Sequence, residues 1–334
     1  MSSIRTNSLQ SAVVLLTGLQ LLCLPVIAPA AHAVEIPAAP TSADMSLPAV
    51  TSEQDRTEVE KLLANIETDW NAHNLTAVMA YYSDDYLNND GLDKNAVSKL
   101  TEDFWKTYPD AKSKSTTKEI RFEGSFATVE SRDVATGTTA KEMPGIGTKG
   151  ELTSVSEGQL YLKKQGQGWK IVGDRIDYER VRVAFGLARQ VQATFSAPEQ
   201  VKSNKPYTAK LELGMPSGLT AVGSITNTPL QYPQPQPEDA WRPMNEPTPE
   251  RPLLERVLVT NNKNRNELLM ATIGITNSQR NSLMGIAFLT RRINVIPNME
   301  EEQVKIVEKT EGKDKGMSGF NVPEGEIPKP GTAK

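Results

Sequence analysis

The apolar residues between Val59 and Tyr108 follow a helical period, and those beyond Ser115 follow a period of two. That switch constrains the fold of this chain more than any other feature. Val59, Leu62, Leu63, Ile66 and Trp70 recur at i, i+3, i+4, i+7 and i+11, which makes one apolar helix face. Leu75, Val78, Met79 and Tyr82 repeat the pattern after Asn74, a residue type suited to cap a new helix. Thr51 and Gln54 fit a capping box at the mouth of the first helix. Asn88-Asn89-Asp90-Gly91 is turn chemistry. Asp93 then caps a third helix carrying Val97, Leu100, Phe104 and Tyr108, which Pro109 stops. Apolar helix faces in this order need a curved surface to bury against.

The following segment supplies it. Ile120 and Phe122 alternate with charged neighbours, Gly124-Ser125 turns the chain, and Phe126–Thr139 runs back. A loop over Ala140–Gly150 leads to a second strand pair. There Leu160 and Leu162 alternate with Tyr161, and Gln165–Gly168 forms the turn. Trp169, Ile171 and Gly173 then alternate with Lys170, Val172 and Asp174. Residues 51–178 are thus an α+β domain with its helices on one face of an antiparallel sheet.

A chain of 334 residues is longer than one core usually supports, the limit being roughly 250–300. A second domain is expected over 193–297, where Tyr207, Ala209, Leu211 and Leu213 alternate and Leu219–Ile225, Leu254–Thr260, Leu268–Thr276 and Leu283–Ile296 form apolar runs. These suggest a small all-β sandwich, immunoglobulin-like in layout, interrupted by a proline-dense surface loop over 229–252. Between the domains, 179–192 contains no proline, and Val181, Val183 and Phe185 alternate with Arg180, Arg182 and Ala184. That pattern predicts an ordered connector with its apolar residues in a contact between domains, unlike a Gly/Ser/Pro linker. Residues 298–334, rich in Glu, Lys and Gly, read as a largely disordered tail.

The net charge of −4 and the absence of a Lys/Arg block interleaved with aromatics argue against a nucleic-acid partner. Arg5, the apolar run Ala12–Ile27 and the small-x-small site Ala31-His32-Ala33 predict a cleaved signal peptide over 1–33. A flexible Ala/Pro/Ser linker follows over 34–50, and the protein is expected to be periplasmic or secreted. The sole cysteine, Cys23, falls inside that signal, which leaves the remainder without a disulfide, a Cys metal site or a thiol nucleophile.

Other motifs do not carry chemistry. Gly145-Ile146-Gly147-Thr148-Lys149-Gly150 matches the dinucleotide-binding letters but is followed by a strand pattern rather than a helix. Asp84, Asp85, Asp90 and Asp93 fail the calcium-loop register, because Gly91 in sixth place puts Tyr86 first and Val97 last. His73, alone after the signal, makes neither a zinc site nor a Ser-His-Asp triad. Asn74-Leu75-Thr76 is a formal glycosylation acceptor that a helix cap explains.

The helix pair ending WNAHNLTAVMAYYSDDYLNNDG, the third helix ending at Tyr108-Pro109 and the strand Gly168–Asp174 together resemble the NTF2-like (SnoaL-like) superfamily, over residues 51–178. The resemblance implies a cone of three helices on a curved antiparallel sheet with a pocket inside, and it leaves the chemistry open. It implies Trp70, Tyr82, Tyr86, Phe104 and Tyr161 as ligand-binding candidates, and a homodimer through the sheet as an assembly. The preferred expectation is a non-catalytic exported protein that recognises an apolar small molecule or an envelope partner, with no metal and no cofactor. An alternative is an isomerase- or cyclase-type enzyme working by proton transfer, with Asp174 or Asp85 beside a Tyr hydroxyl. A third is an envelope adaptor or scaffold that uses the proline-dense loop.

Overall fold

The computed structural model describes residues 53–297 apart from 167, 232–241, 244–252 and 281. The expected signal, linker and tail, and most of the proline-dense loop, lie outside the described residues.

Three helices open the fold: α1 (Glu53–Asn71), α2 (Leu75–Ala80) and α3 (Lys94–Thr107). The starts of α2 and α3 are fixed by side chains named above, while Thr51, expected to cap α1, lies outside the described residues. Asn74 Oδ1 accepts from Ala77 N at 3.2 Å and Asp93 Oδ1 accepts from Ala96 N at 2.8 Å, each satisfying an orphan N–H of the first turn. Val59 on α1, Val78 and Met79 on α2, and Val97, Phe104 and Trp105 on α3 are buried.

Four long strands follow: β1 (Lys112–Glu123), β2 (Phe126–Glu142), β3 (Lys149–Gln165) and β4 (Gly168–Gly186). They pair antiparallel in sequence order. Both hairpin turns lie where Gly124-Ser125 and Gln165–Gly168 place them. The loop expected over Ala140–Gly150 is shorter, because β2 runs to Glu142 and β3 begins at Lys149. Register shifts at Thr117/Glu119, Thr138/Glu142, Glu157/Gly158 and Tyr161/Leu162 bend these strands around the helices, as bulges do. One apolar cluster joins Val59, Phe104 and Tyr108 of the helical part to Val129, Leu162, Ile171 and Phe185 of the sheet.

Strand β4 crosses residue 178 without a break and ends at Gly186, after which Leu187–Arg189 makes a 3₁₀ turn. The rest of the chain forms β5 (Gln192–Ser196), β6 (Gln200–Lys202), β7 (Pro206–Gly214), β8 (Leu219–Pro229), β9 (Arg242–Pro243), β10 (Leu253–Val259), β11 (Glu267–Asn277) and β12 (Leu283–Ile296). Strand β12 pairs with β4 from Arg291↔Arg180 to Gly285↔Gly186. The cone sheet therefore continues as β1-β2-β3-β4-β12-β11-β8-β9, with β6 parallel to the end of β12. The remaining strands make a separate sheet, β10-β7-β5. A second core lies between that sheet and the β8-β11-β12 part of the large one, formed by Phe195, Leu211, Leu213, Leu254, Ile273, Ile275 and Leu289 among others. One layer of the β-rich half is thus the cone's own sheet prolonged. Val181, Val183 and Phe185, expected to need a buried surface, are 5%, 0% and 0% exposed.

Candidate functional site

Alternation along the strands decides which side chains enter the concave side. On β2, Ala127, Val129, Ser131, Asp133 and Ala135 share a phase in which Val129 and Ser131 are buried. On β1, Ser113, Ser115 and Thr117 share the inward phase. Against them stand Leu63, Ile66 and Trp70 of α1 and Val97 and Phe104 of α3. A cavity of about 220 Å³ separates the two walls. Its helix wall is mainly apolar and aromatic, with Glu67 and Thr101 as exceptions, and its sheet wall mixes apolar residues with hydroxyls and the acids Asp133, Glu157 and Asp174.

Tyr82 and Tyr86, after α2, also line the cavity, with their rings 4.9 Å apart, edge to face. The Tyr86 hydroxyl donates to Asp174 Oδ2 from β4. Burial pushes the Asp174 carboxyl up to about 6, outweighing the hydrogen bonds from Tyr86 and Asn88 and the pull of Arg292; Asp90 adds to the rise. Burial and the nearby Asp174 also raise Tyr86, so the phenol stays the donor. The Tyr82 hydroxyl is raised by burial and then by Asp174 and Asp133, so it lies within the field of both carboxylates. It hydrogen-bonds to none of the described residues. Asp133, on the sheet wall, is raised by burial and by Glu67, against hydrogen bonds from Ser115 and Ser131. Ser131 Oγ lies 3.1 Å from Asp133 Oδ2.

The acidic turn holds this corner in place. Leu87 N donates to Val172 O at 3.2 Å and Asn89 N to Asp174 O at 2.9 Å, so the turn lies along β4 as a short added strand. Gly173 permits that approach, since a Cβ there would meet Leu87 O at 2.8 Å. Asn88 Oδ1 accepts from Asp90 N at 3.0 Å and from Leu92 N at 2.9 Å, leaving the Asn88 amide nitrogen as the group that faces Asp174. Asp90 is clamped from the β-rich half. Arg292 Nη1 and Nη2 reach it at 2.7 and 2.6 Å, and Asn266 Nδ2 reaches it at 3.1 Å. The Arg292 and Asp90 side chains are only 1% and 6% exposed. Arg292 Nε donates to Asn294 Oδ1 at 2.9 Å, and Asn294 Nδ2 donates to Asp177 O at 2.7 Å, closing the link back to β4.

Of the residues named from sequence, Trp70, Tyr82, Tyr86, Phe104 and Asp174 come together at this cavity. Tyr161 does not line it. Leu160 and Leu162 occupy the inward phase of β3, which turns Tyr161 to the other face, where its hydroxyl donates to Gln159 Oε1 at 3.1 Å. Asp85 also lies elsewhere: it is exposed, and its partner is the Ser83 hydroxyl, which holds its carboxyl below the usual range. Sequence reasoning passed over Asp133 and Arg292. A charge in phase with Val129 and Ser131 was the available signal for the first. The second reaches the site through a pairing 202 positions apart, which no local pattern encodes.

The other motifs are structural. His73 stacks on Trp105 with ring centroids 4.8 Å apart and sets Nε2 2.9 Å from Ala111 O. Gly145 and Gly147 serve the β2–β3 turn at φ 84° and 69°. Among the described residues no group of three His, Cys, Asp or Glu could hold a metal.

No family model matches the sequence, and no curated protein matches it. Among solved structures, a protein of unknown function with a cystatin-like fold from Nostoc punctiforme PCC 73102 is 14% identical with a TM-score of 0.30, over 37% of this chain and 91% of that one. The hexachlorocyclohexane dehydrochlorinase LinA type 3 from Novosphingobium barchaimii LL02 is 13% identical with a TM-score of 0.30, over 38% of this chain and 92% of that one. A Kribbella flavida protein is 13% identical with a TM-score of 0.33, over 37% of this chain and 90% of that one. These matches span little more than a third of the chain. The NTF2-like layout of α1 to β4 rests on its own architecture: three helices laid into the concave side of a bent run of four antiparallel strands, with a cavity between.

Proposed function

We propose that the cone is a small-molecule site working by proton transfer, with Asp174 as the base. The observation that carries this reading is the Tyr86–Asp174 hydrogen bond in the wall of the cavity, with the carboxyl pushed up to about 6. A carboxylate of that strength is mostly ionised at neutral pH, yet basic enough to accept a proton from carbon, which is the balance general-base catalysis needs. In the proposed step Asp174 removes a proton from a carbon next to a carbonyl, and the C–H electron pair moves into the carbonyl to give an enolate. Tyr82 donates a hydrogen bond to the enolate oxygen. Where the substrate carries a β,γ carbon–carbon double bond the intermediate is a dienolate, and Asp174 returns the proton to its γ-carbon while the double bond moves into conjugation with the carbonyl, so the net change is an isomerisation and no group is lost. Tyr86 and Asn88 position the carboxylate; the aromatic wall takes the apolar body.

We place this activity in an exported protein on the strength of the signal-like N-terminus. We read β5 to β12 as an immunoglobulin-like sandwich sharing a layer with the cone. The test is exchange in deuterium oxide over a panel of cyclic and aryl ketones, read by mass spectrometry. Wild-type protein should incorporate deuterium next to the carbonyl, and Asp174→Asn should lose about 10²–10⁴-fold of that rate. Ligands that bind without exchange would leave a binding protein in place of the enzyme, and exchange that survives Asp174→Asn would remove Asp174 as the base.

A further inference from the structure

The charges that line the cavity fall into two groups. Glu67 is met by Lys114 at 2.9 Å, Glu157 by Lys118 at 2.6 Å and Arg132 at 2.7 Å, and Arg175 by Asp177 at 2.8 Å. Each therefore has its counter-ion in the protein. Asp133 and Asp174 differ: their hydrogen bonds come from the neutral donors Ser115, Ser131, Tyr86 and Asn88. Arg292 is close enough to be felt at Asp174, but both its terminal nitrogens are on Asp90. Two carboxylates thus face one cavity with no ion-pair partner among the described residues. A buried carboxylate with only neutral donors around it gains from an incoming cation.

The remaining walls say what kind of cation fits. A hydrated metal ion would want more oxygen ligands than the site offers, and the described residues hold no such group of three. Trp70 and Phe104, 5.8 Å apart, instead present aromatic surface to the cavity, and aromatic faces attract organic cations. The Tyr82 hydroxyl, on a residue that lines the cavity and hydrogen-bonded to no described residue, adds an oxygen able to accept from an ammonium N–H. A cavity of about 220 Å³ has room for a single aromatic ring with a short chain.

We infer that the cavity selects a hydrophobic organic ammonium, with Asp133 as the charge anchor and the Trp70–Phe104 wall receiving the apolar body. This rests on the cavity being a small-molecule site, but it does not require proton transfer at Asp174. It also separates the roles of the two carboxylates, one holding charge and the other moving a proton.

The test is a matched trio of probes: 2-phenylethylammonium, 2-phenylethanol and 3-phenylpropionate, titrated into the full chain by calorimetry with protein-observed NMR. The ammonium should bind at least about ten-fold more tightly than the alcohol, and the carboxylate should not bind. Asp133→Asn should erase the preference for the ammonium while the alcohol binds as before, and Asp133→Ser serves if the first variant does not fold. Equal affinity for ammonium and alcohol, tighter binding of the carboxylate, binding of none of the three, or a preference that survives in a folded Asp133 variant would each overturn the inference. The deuterium exchange above uses neutral ketones, so its outcome is independent of these.

Discussion

Asp90 and Asp174 lie in the same corner, one on the acidic turn and one on the strand beneath it, and the fold treats them in opposite ways. Asp90 receives a bidentate guanidinium and an amide, and its side chain is sealed from solvent. Asp174 receives a phenol and an amide and faces a cavity. A carboxylate that meets its own cation is a fastener, here tying the helical turn to β12 across most of the chain. A carboxylate given only neutral donors in a buried place is raised in pKa and remains free to react. Two acids of the same type and nearly the same address are told apart by what the β-rich half supplies.

The largest effect should come from breaking the fastener. Arg292→Met leaves Asp90 buried without its cation and should cost about 3–5 kcal/mol in urea unfolding. Adding Asp90→Asn should recover most of that loss, and no recovery would mean that Arg292 acts through packing instead. The opposite sign is expected at the other acid. The folded pKa of Asp174 is raised from 3.8 to about 6, so its ionised form opposes folding. Its stabilising contribution is complete below 3.8 and is lost as pH rises past about 6. Asp174→Asn should therefore stabilise the protein by about 3 kcal/mol above pH 7 and have little effect near pH 3.5. A destabilised variant at neutral pH would place Asp174 in the same class as Asp90.

Gly173→Ala should displace the acidic turn from β4 and cost about 1–3 kcal/mol, because the new Cβ meets the Leu87 carbonyl. Crystallography of that variant would show the shift. The smallest change is expected in Tyr86→Phe, which keeps the ring but removes a donor that holds the Asp174 pKa down. Its Asp174 should titrate higher than in the wild type, and an unchanged titration would remove Tyr86 from the account.

The helical opening and the first four strands were legible because local signals agree there. Asn74 and Asp93 cap where their side chains allow, the Val59–Trp70 stripe faces the sheet, and the period-two segments turn at Gly124 and Gly166. Four of five aromatics and one of two acids were placed at the cavity by the same reasoning. Tyr161 was misplaced because choosing a strand's inward phase takes only one wrong parity to turn a side chain outward. Asp85 failed because a cluster of aspartates in a turn does not say which of them points inward. The continuity of β4 with β12 was out of reach for a different reason: Arg180 and Arg291 pair across more than a hundred residues, and only the folded sheet brings them together. The Arg292 clamp is a consequence of that pairing, so it was hidden with it.

The central claim is that Asp174 is a buried, raised carboxylate held open to the cavity. The direct measurement is its side-chain carboxyl shift, followed by carbon-detected NMR from pH 3 to 9 and assigned with Asp174→Asn. A midpoint at about 6 is the result this account predicts. A midpoint at or below the ordinary value of 3.8 would contradict it, because a carboxylate so readily ionised would already have found its counter-ion inside the protein.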